Sequence, residues 1–254
     1  MFVGDAGKGE AVLLLHGTPS PRADWAPVVD ALSRRYRVLV PELPGYGAST
    51  PLENSSIEAV GDALYDMLRQ RGVTAVAGVV GFSTGAYRAF DLVLRHPLAA
   101  RHVISIAGVA CFDAKARELR RSLARRLASE PSYLGSDEVR GIMQDTMLSP
   151  TWAAAHPDEV ARVVAWRDLT NPTALARELE ALAASRDLRP ELKLLSARVY
   201  ARVGELDVGC PPGWSEDIVR AAPHARLDRV VGCGHALLVE DAAATTAAIV
   251  AELG

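Results

Sequence analysis

Several runs of this chain are apolar throughout and are separated by segments with helical periodicity, which strongly limits the possible folds. The runs do not alternate between apolar and polar residues, as expected for strands that are buried on both faces of a parallel sheet. Strands that alternate with helices form an α/β sheet with right-handed crossovers. We identify six such strands, within residues 11–17, 36–47, 75–83, 101–110, 197–207 and 225–235.

The alternation of strands and helices stops at residues 111–186, which contain almost no β-type runs and many alanines and arginines. We interpret this region as an insertion of several short helices in an α/β core formed by residues 1–110 and 187–254. Its segment AKARELRRSLARR, residues 114–126, has six basic residues and one acidic residue. Such a segment is either a solvated helix face or an anion-attracting rim at the entrance of a site.

A helix is also predicted over residues 55–72, before the third strand. Ser55 and Glu58 have the spacing of a capping box at its start, and Gly72 has the character of a C-terminal cap.

The sequence GFSTG, residues 81–85, places Ser83 between two glycines where a predicted strand meets a predicted helix. It matches G-x-S-x-G, the nucleophile elbow, in which a sharp turn strains the serine and requires small neighbouring residues. The following helix directs its positive end and free N–H groups at this position. Glycine and serine also form ordinary turns, so the motif gains its specificity from the strand before it and the helix after it. We predict that Ser83 is a nucleophile.

A serine nucleophile needs a base close to it. His235 directly follows the last predicted strand, at the sheet edge where Ser83 also lies. A histidine in a Gly-rich loop can serve as a turn or capping residue, but this position favours the role of general base. The remaining histidines lie at the opposite edge, in the insertion, or in a loop where we expect a structural role: His16, His96, His102, His156 and His224.

The acid that orients the base is expected from a strand end between the serine and the histidine. Asp207 lies just past the fifth predicted strand and fits this place, where it would hold the imidazole tautomer. Glu205 is a reserve candidate, although a role in the turn suits it better.

Acyl transfer also requires N–H donors for a developing oxyanion. One donor is predicted to be the backbone N–H of Thr84, directly after the nucleophile. The second is predicted in the loop HGTPS after the first strand, where Pro19 has no N–H and Thr18 is the best donor. His16 in the same loop is expected to hydrogen-bond the loop.

By these motifs the chain resembles the α/β-hydrolase superfamily. The segments LLLHGTPS, VLVPELPGYGAST, GFSTG, GELDVGCPP and GCGHALLVE occur in the family's order, with the usual gap for a cap domain at 111–186. The resemblance implies Ser83, Asp207 and His235 as the catalytic triad, an oxyanion hole of Thr18 and Thr84, and no metal or cofactor.

The chain departs from the family pattern in two places. Only ten residues precede Ala11, so we expect the usual N-terminal hairpin to be shortened. Glu42 stands where family members usually carry an aspartate, at a position that is normally structural. The elbow is also similar to that of the cofactor-free haloperoxidase and perhydrolase branch, but that branch's third consecutive glycine is replaced by Ala86.

The expected function is hydrolysis of a carboxylic ester or lactone through an acyl-enzyme. The same triad could instead cleave a carbon–carbon bond, act as an imino-peptidase or perhydrolase, or transfer or cyclise an acyl group. A ligand-binding receptor on the hydrolase fold is a further alternative, because a fold does not fix a function.

Charge and composition exclude other classes of partner. The net charge of −3, from 28 basic and 31 acidic residues, does not favour nucleic acid or an acidic membrane surface. No histidine or cysteine pair has convincing zinc spacing, and GDAGKGE, residues 4–10, lacks the spacing of a phosphate loop. We therefore expect a small-molecule acyl substrate and neither metal nor cofactor.

The three cysteines, an odd number without a C-x-x-C motif, indicate reduced thiols, and the first ten residues lack the features of a signal peptide. These features predict a cytoplasmic protein. Cys210 and Cys233 flank the predicted acid and base loops, so they are either small buried residues or near neighbours sensitive to oxidation.

Overall fold

The computed structural model describes residues 1–96 and 98–254, and its centre is a seven-stranded sheet with the strand order β1-β3-β2-β4-β5-β6-β7. All six predicted strands are present, and a short seventh precedes them. The strands are β1 (Val3–Ala6), β2 (Ala11–Leu15), β3 (Arg37–Pro41), β4 (Ala75–Phe82), β5 (Ala99–Ile106), β6 (Arg198–Gly204) and β7 (Ala225–Val230).

Strands β2 to β7 pair in parallel, and β1 alone runs antiparallel, with Val3 opposite Pro41 of β3. A single antiparallel strand thus stands where a hairpin is usual in the family, which agrees with the predicted shortening. Parallel neighbours end at the same sheet edge. The loops after β2, β4, β6 and β7 are therefore brought together beyond the carboxyl ends, where ligands bind in open α/β sheets.

Helices cover both faces of the sheet. The helices are α1 (Ala26–Leu32), α2 (Ile57–Gln70), α3 (Thr84–Arg95), α4 (Ala114–Ser129), α5 (Asp137–Met147), α6 (Pro150–Ala155), α7 (Pro157–Val164), α8 (Pro172–Ala184), α9 (Arg189–Leu192), α10 (Pro212–Ala221), α11 (Leu237–Glu240) and α12 (Ala242–Leu253). Three 3₁₀ turns complete them, at Arg22–Trp25, Pro131–Gly135 and Ala165–Leu169.

Alternate residues of each central strand enter two different hydrophobic clusters, because successive side chains of a strand point to opposite faces. In β2, Leu13 and Leu15 join the cluster that includes α2 and α3, while Val12 and Leu14 join the one that includes α1 and α12. All five residues of β2 are buried, which explains why the strand runs are apolar without alternation.

Helices α4 to α8 lie between β5 and β6 and coincide with the predicted helical insertion. The longest of them, α4, begins at the N-cap Asp113, whose side chain accepts a hydrogen bond from the Ala116 N–H at 2.8 Å. The division into a core of residues 1–110 and 187–254 and a cap of residues 111–186 stays a prediction.

The predicted capping box at the start of α2 is wrong by one residue. Ser56, not Ser55, is the N-cap, and its hydroxyl accepts the Ala59 N–H at 3.1 Å. The Ser55 hydroxyl instead donates to the Leu52 carbonyl at 3.1 Å. Both consecutive serines fit the preference for serine at an N-cap, and the path of the preceding loop decides which of them faces the first turn.

Candidate active site

The junction of β4 and α3 holds Ser83 in a strained backbone conformation. Its φ of 55° and ψ of −123° lie in a region that L-residues rarely adopt, and its own N–H is anchored to the Ile106 carbonyl at 2.8 Å. The side chain is buried at the carboxyl edge of the sheet. This conformation is the one that a nucleophile elbow requires.

The two glycines of GFSTG are required by the close approach of backbones at this turn. A Cβ atom on Gly81 would collide with the Gly85 carbonyl and the Ala86 nitrogen in the first turn of α3. A Cβ on Gly85 would collide with the carbonyls of Leu15 and His16 at the end of β2. The motif therefore reflects a steric need that the sequence pattern alone could only suggest.

Ser83, His235 and Asp207 form one buried hydrogen-bonded chain. The His235 Nε2 atom lies 2.9 Å from Ser83 Oγ, and its Nδ1 lies 2.8 Å from Asp207 Oδ2. A carboxylate can only accept, so Nδ1–H donates to Asp207, and Nε2 is left free to accept the serine hydroxyl proton. These three predicted residues are brought together in the order that general-base activation of a serine needs.

The loop after β6 fixes the Asp207 carboxylate. Its second oxygen, Oδ1, accepts the Cys210 N–H at 2.7 Å, while Oδ2 faces the imidazole. The reserve candidate Glu205 is exposed and instead accepts the Gly232 N–H at 3.2 Å, in the turn after β7. Both oxygens of Asp207 thus have partners, and Glu205 has the turn role expected of it.

His16 also ends a strand at this edge, but its two ring nitrogens are already occupied. The Leu43 N–H donates to Nε2 at 3.0 Å, so Nδ1 carries the proton and donates to the Gly17 carbonyl at 2.9 Å. Burial lowers the pKa of His16 to about 4. The neutral ring stabilises the loop, as predicted, and does not serve as the base.

Thr18 and Thr84, the predicted oxyanion residues, lie side by side. Their hydroxyl oxygens are 2.8 Å apart, and Thr18 Oγ1 also donates to Glu178 Oε1 at 2.8 Å. Thr84 is the first residue of α3, so its N–H has no intrahelical carbonyl to bond and faces the turn at Ser83. Both residues border the cavity into which Ser83 opens.

This cavity has a volume of about 390 Å³ and lies between the sheet edge and helices α4, α5 and α8. Most of its lining is apolar, with side chains such as Leu123, Tyr133, Met143 and Leu175. A small apolar chamber with a few polar groups at one end is typical of a site for a small molecule.

Of the two alternatives for Cys210 and Cys233, their packing favours separate apolar environments over close proximity. Cys210 belongs to the cluster on one face of the sheet, and Cys233 packs against the cluster on the other face. Cys210 is the thiol near the reaction centre, with its Sγ 4.0 Å from Ser83 Oγ. Burial raises its pKa, so it stays a neutral thiol.

Comparison with known proteins decides the family, since the family model described as alpha/beta hydrolase family matches residues 12–249. The chain belongs to this family. A pimeloyl-(acyl-carrier protein) methyl ester esterase of Nitrosomonas europaea is 29% identical over 237 residues, covering 91% of this chain and 90% of that protein. Its counterpart in Aromatoleum aromaticum is 30% identical, covering 89% and 90% of the two chains.

Solved structures of an esterase and an enol-lactonase superpose closely on this one. A thermophilic esterase from Thermogutta terrifontis is 26% identical with a TM-score of 0.90, covering 99% of this chain and 92% of that chain. An enol-lactonase from Burkholderia xenovorans LB400 has a TM-score of 0.86 at 22% identity, covering 99% and 95%, and shows a common fold. The predicted fold class and family are confirmed.

Sequence reasoning missed two charged residues of this alpha/beta hydrolase, Arg88 of α3 and Glu178 of α8. Both are buried, they form an ion pair, and Arg88 also donates to Thr84 Oγ1 at 3.0 Å. No local pattern could have found them, because the two residues are distant in the chain. The one hint in the sequence was Arg88 itself, an arginine one turn after the start of α3, the helix that follows the nucleophile elbow.

The ranges 1–96 and 98–254 contain no cluster of three or more His, Cys, Asp or Glu side chains that could hold a metal ion. None of the helices described in this alpha/beta hydrolase is long and apolar enough to cross a membrane.

Proposed function

We propose that this protein is a serine hydrolase that cleaves a carboxylic ester or lactone through an acyl-enzyme on Ser83. The observation that carries the proposal is the buried chain from Ser83 Oγ to His235 Nε2 at 2.9 Å and from His235 Nδ1 to Asp207 at 2.8 Å. This chain opens into an apolar cavity. The esterase names of its relatives support the same reaction class.

In the first half-reaction, Ser83 Oγ attacks the acyl carbon while His235 Nε2 takes the hydroxyl proton. Asp207 accepts from Nδ1 and stabilises the imidazolium that forms, without taking the proton itself. The carbonyl oxygen becomes an oxyanion bound by the N–H groups of Thr18 and Thr84. The bond to the alcohol oxygen then breaks, and His235 returns its proton to the leaving alkoxide.

In the second half-reaction, a water molecule replaces the alcohol. His235 removes a proton from that water, the hydroxide attacks the acyl carbon, and the same donors hold the second oxyanion. Ser83 leaves with the proton from His235, and the carboxylic acid is released. For a lactone, the alcohol stays covalently linked to the acyl group throughout, so the product is one hydroxy acid.

We also propose that residues 111–186 act as a cap that shapes the substrate site. Helices α4, α5 and α8 of this range supply most of the cavity's apolar lining. The chemistry of the substrate would then depend on this region, since the catalytic groups all come from the core loops.

The three free cysteines support a reducing compartment such as the cytoplasm.

The nucleophile is tested by intact-mass spectrometry after treatment with a fluorophosphonate probe. A single adduct is expected on the wild type and none on Ser83→Ala, because only an activated serine attacks the phosphorus. Ser215→Ala is a matched control, since Ser215 is a buried serine of α10 outside the site and its loss should leave labelling intact.

An adduct on Ser83→Ala, or none on the wild type, would contradict the assignment. A panel of esters, lactones and vinylogous diketones then separates ester hydrolysis from carbon–carbon cleavage by the same groups. Labelling of Ser83 without turnover of any substrate would favour a ligand-binding receptor on this fold.

A further inference from the structure

The basic helix α4 presents one arginine to the substrate cavity. Apart from the His235 imidazole, the charged side chains lining the cavity within the described residues are Asp113, Lys115 and Arg120. Asp113 and Lys115 are exposed and opposite in sign, so their charges largely offset each other at the rim. Arg120 is half-buried and leaves the cavity wall with a net positive charge.

The guanidinium of Arg120 is held in place without a carboxylate. It stacks over the Phe112 ring at 4.0 Å from the centroid, and its NH1 donates to the Ala116 carbonyl at 3.0 Å. Among the residues that the structure describes, no acidic side chain forms an ion pair with it. By contrast, Arg121 and Arg125 of the same helix both pair with Glu118, which does not line the cavity.

Stacking on an aromatic face leaves the in-plane N–H groups of a guanidinium free for a planar anion. Burial lowers the pKa of Arg120, because this charge has lost water, and the Asp113 carboxylate, which forms no ion pair with it, offsets this only in part. An anion in the cavity would supply the missing charge-assisted hydrogen bonds. A carboxylate suits the site better than a phosphate monoester, because one free cation balances one negative charge.

Arg120 lines the same cavity as Ser83. Its charge acts on the Cys210 thiol, and the Cys210 Sγ atom lies 4.0 Å from Ser83 Oγ. The apolar side chains that line most of this cavity suit a short methylene chain. We propose that Arg120 binds a carboxylate on the substrate, so that the enzyme prefers esters or lactones that carry a carboxylate, such as half-esters of short dicarboxylic acids. This inference rests on the proposed ester hydrolysis at Ser83.

The test compares monomethyl glutarate with methyl glutaramate, which replaces the carboxylate by an uncharged amide of the same shape. The wild type is expected to prefer the carboxylate. Arg120→Met should lower kcat/KM for monomethyl glutarate by roughly 10- to 100-fold, mainly through KM, as expected for a lost charge-assisted hydrogen bond. The amide ester should change by no more than about twofold, because its binding does not use the charge.

Arg125→Met is the matched control, since it removes the same charge from the exposed side of α4. It should leave the ratio of the two esters unchanged. An equal loss for both esters in Arg120→Met, or no preference in the wild type, would overturn the proposal. The half-esters of succinic and adipic acid are each compared with the ester in which an amide replaces the carboxylate. The half-ester with the largest preference over its amide shows which chain length spans the distance from Arg120 to Ser83.

Binding of glutarate to the wild type and Arg120→Met, measured by calorimetry, does not depend on catalysis or on an active variant. Tight binding of glutarate by the wild type alone supports the carboxylate site even if no ester is turned over. Binding of inorganic phosphate in place of glutarate would show that the site takes a phosphate and contradict the proposal. If Ser83 takes no fluorophosphonate while glutarate still binds, the proposed hydrolysis fails and the site at Arg120 stands.

Discussion

Glu178 joins α8 to the predicted oxyanion loop, and replacing it tests whether this connection controls catalysis. Arg88 donates to the Thr84 hydroxyl, and Thr18 donates its single hydroxyl proton to Glu178, so Thr84 must donate to Thr18. The second carboxylate oxygen of Glu178 accepts from the Tyr46 hydroxyl at 2.5 Å. The substitution Glu178→Gln keeps the shape of the side chain and removes its charge.

The expected loss of stability follows from the burial of this pair. The side chains of Arg88 and Glu178 are only 2% and 11% exposed, so Glu178→Gln leaves a cation in the interior without its acid. Removing one partner of a buried ion pair costs about 3–5 kcal/mol, and the amide oxygen that glutamine retains should reduce this to roughly 2–4 kcal/mol. For a chain of this size the melting temperature should fall by roughly 5 to 15 °C.

The activity should fall as well, because the single amide oxygen of glutamine cannot accept from both Thr18 and Tyr46, which weakens the hydrogen bonds that fix the Thr18 side chain. Removing one oxyanion donor lowers kcat by about 10²- to 10³-fold, and a displaced donor should cost at least roughly tenfold. KM should change little, since Glu178 does not line the cavity. Thermal unfolding and steady-state kinetics on one neutral ester measure both effects.

Glu180→Gln is the control, because Glu180 is an exposed residue of the same helix. The reasoning is refuted if Glu178→Gln matches Glu180→Gln in melting temperature and kcat. A double-mutant cycle with Arg88→Met isolates the pair itself. An interaction free energy near zero would show that the two charges act independently.

Three further substitutions, two of them paired with a control substitution, test the site and the fold. Asp207→Asn should lower kcat by about 10³- to 10⁴-fold in ester hydrolysis, because the wrong imidazole tautomer is then favoured, while Glu205→Gln should have no such effect. Gly85→Ala should reduce the free energy of unfolding by more than about 2 kcal/mol in urea titrations, since its Cβ meets two carbonyls. Gly141→Ala in the open surroundings of α5 should instead gain about 0.5–1 kcal/mol. Burial raises the pKa of Asp24 from its ordinary 3.8 to about 6, so this carboxyl makes the fold less stable as the pH rises through that range. Asp24→Asn should therefore gain roughly 1–3 kcal/mol relative to wild type between pH 4 and pH 7, and a constant difference would contradict this.

The sequence predicted the triad positions because each depends on a local rule. Ser83 follows β4 directly, Asp207 comes three residues after β6, and His235 comes five residues after β7. Parallel pairing then brings the carboxyl ends of β2 to β7 to the same edge, so the position in the chain implies the position in space. The same logic led to Thr18 and Thr84 as the proposed oxyanion residues and to the structural role of His16.

The polar network around Glu178 could not be predicted in the same way. Thr18, Arg88 and Glu178 lie in three separate parts of the chain, and their contact depends on how α8 packs over the end of the sheet. A helix shows which residues share a face, but not which partner covers that face. Glu178 has no sequence signal, since it resembles the exposed Glu180 two residues later.

Helix α4 shows that the prediction of function from sequence is limited in the same way. Its basic segment admitted a solvated face or an anion-attracting rim, and the arginines of α4 divide between surface ion pairs and the cavity wall. Arg121 and Arg125 pair with a surface glutamate, whereas Arg120 turns to the cavity. Composition cannot separate these residues, because a rotation of one residue around the helix, about 100°, decides between solvent and substrate. The packing of α4 thus places Arg120, the charge that we expect to select the substrate, in the cavity wall. The next residue, Arg121, instead pairs with Glu118 outside the cavity.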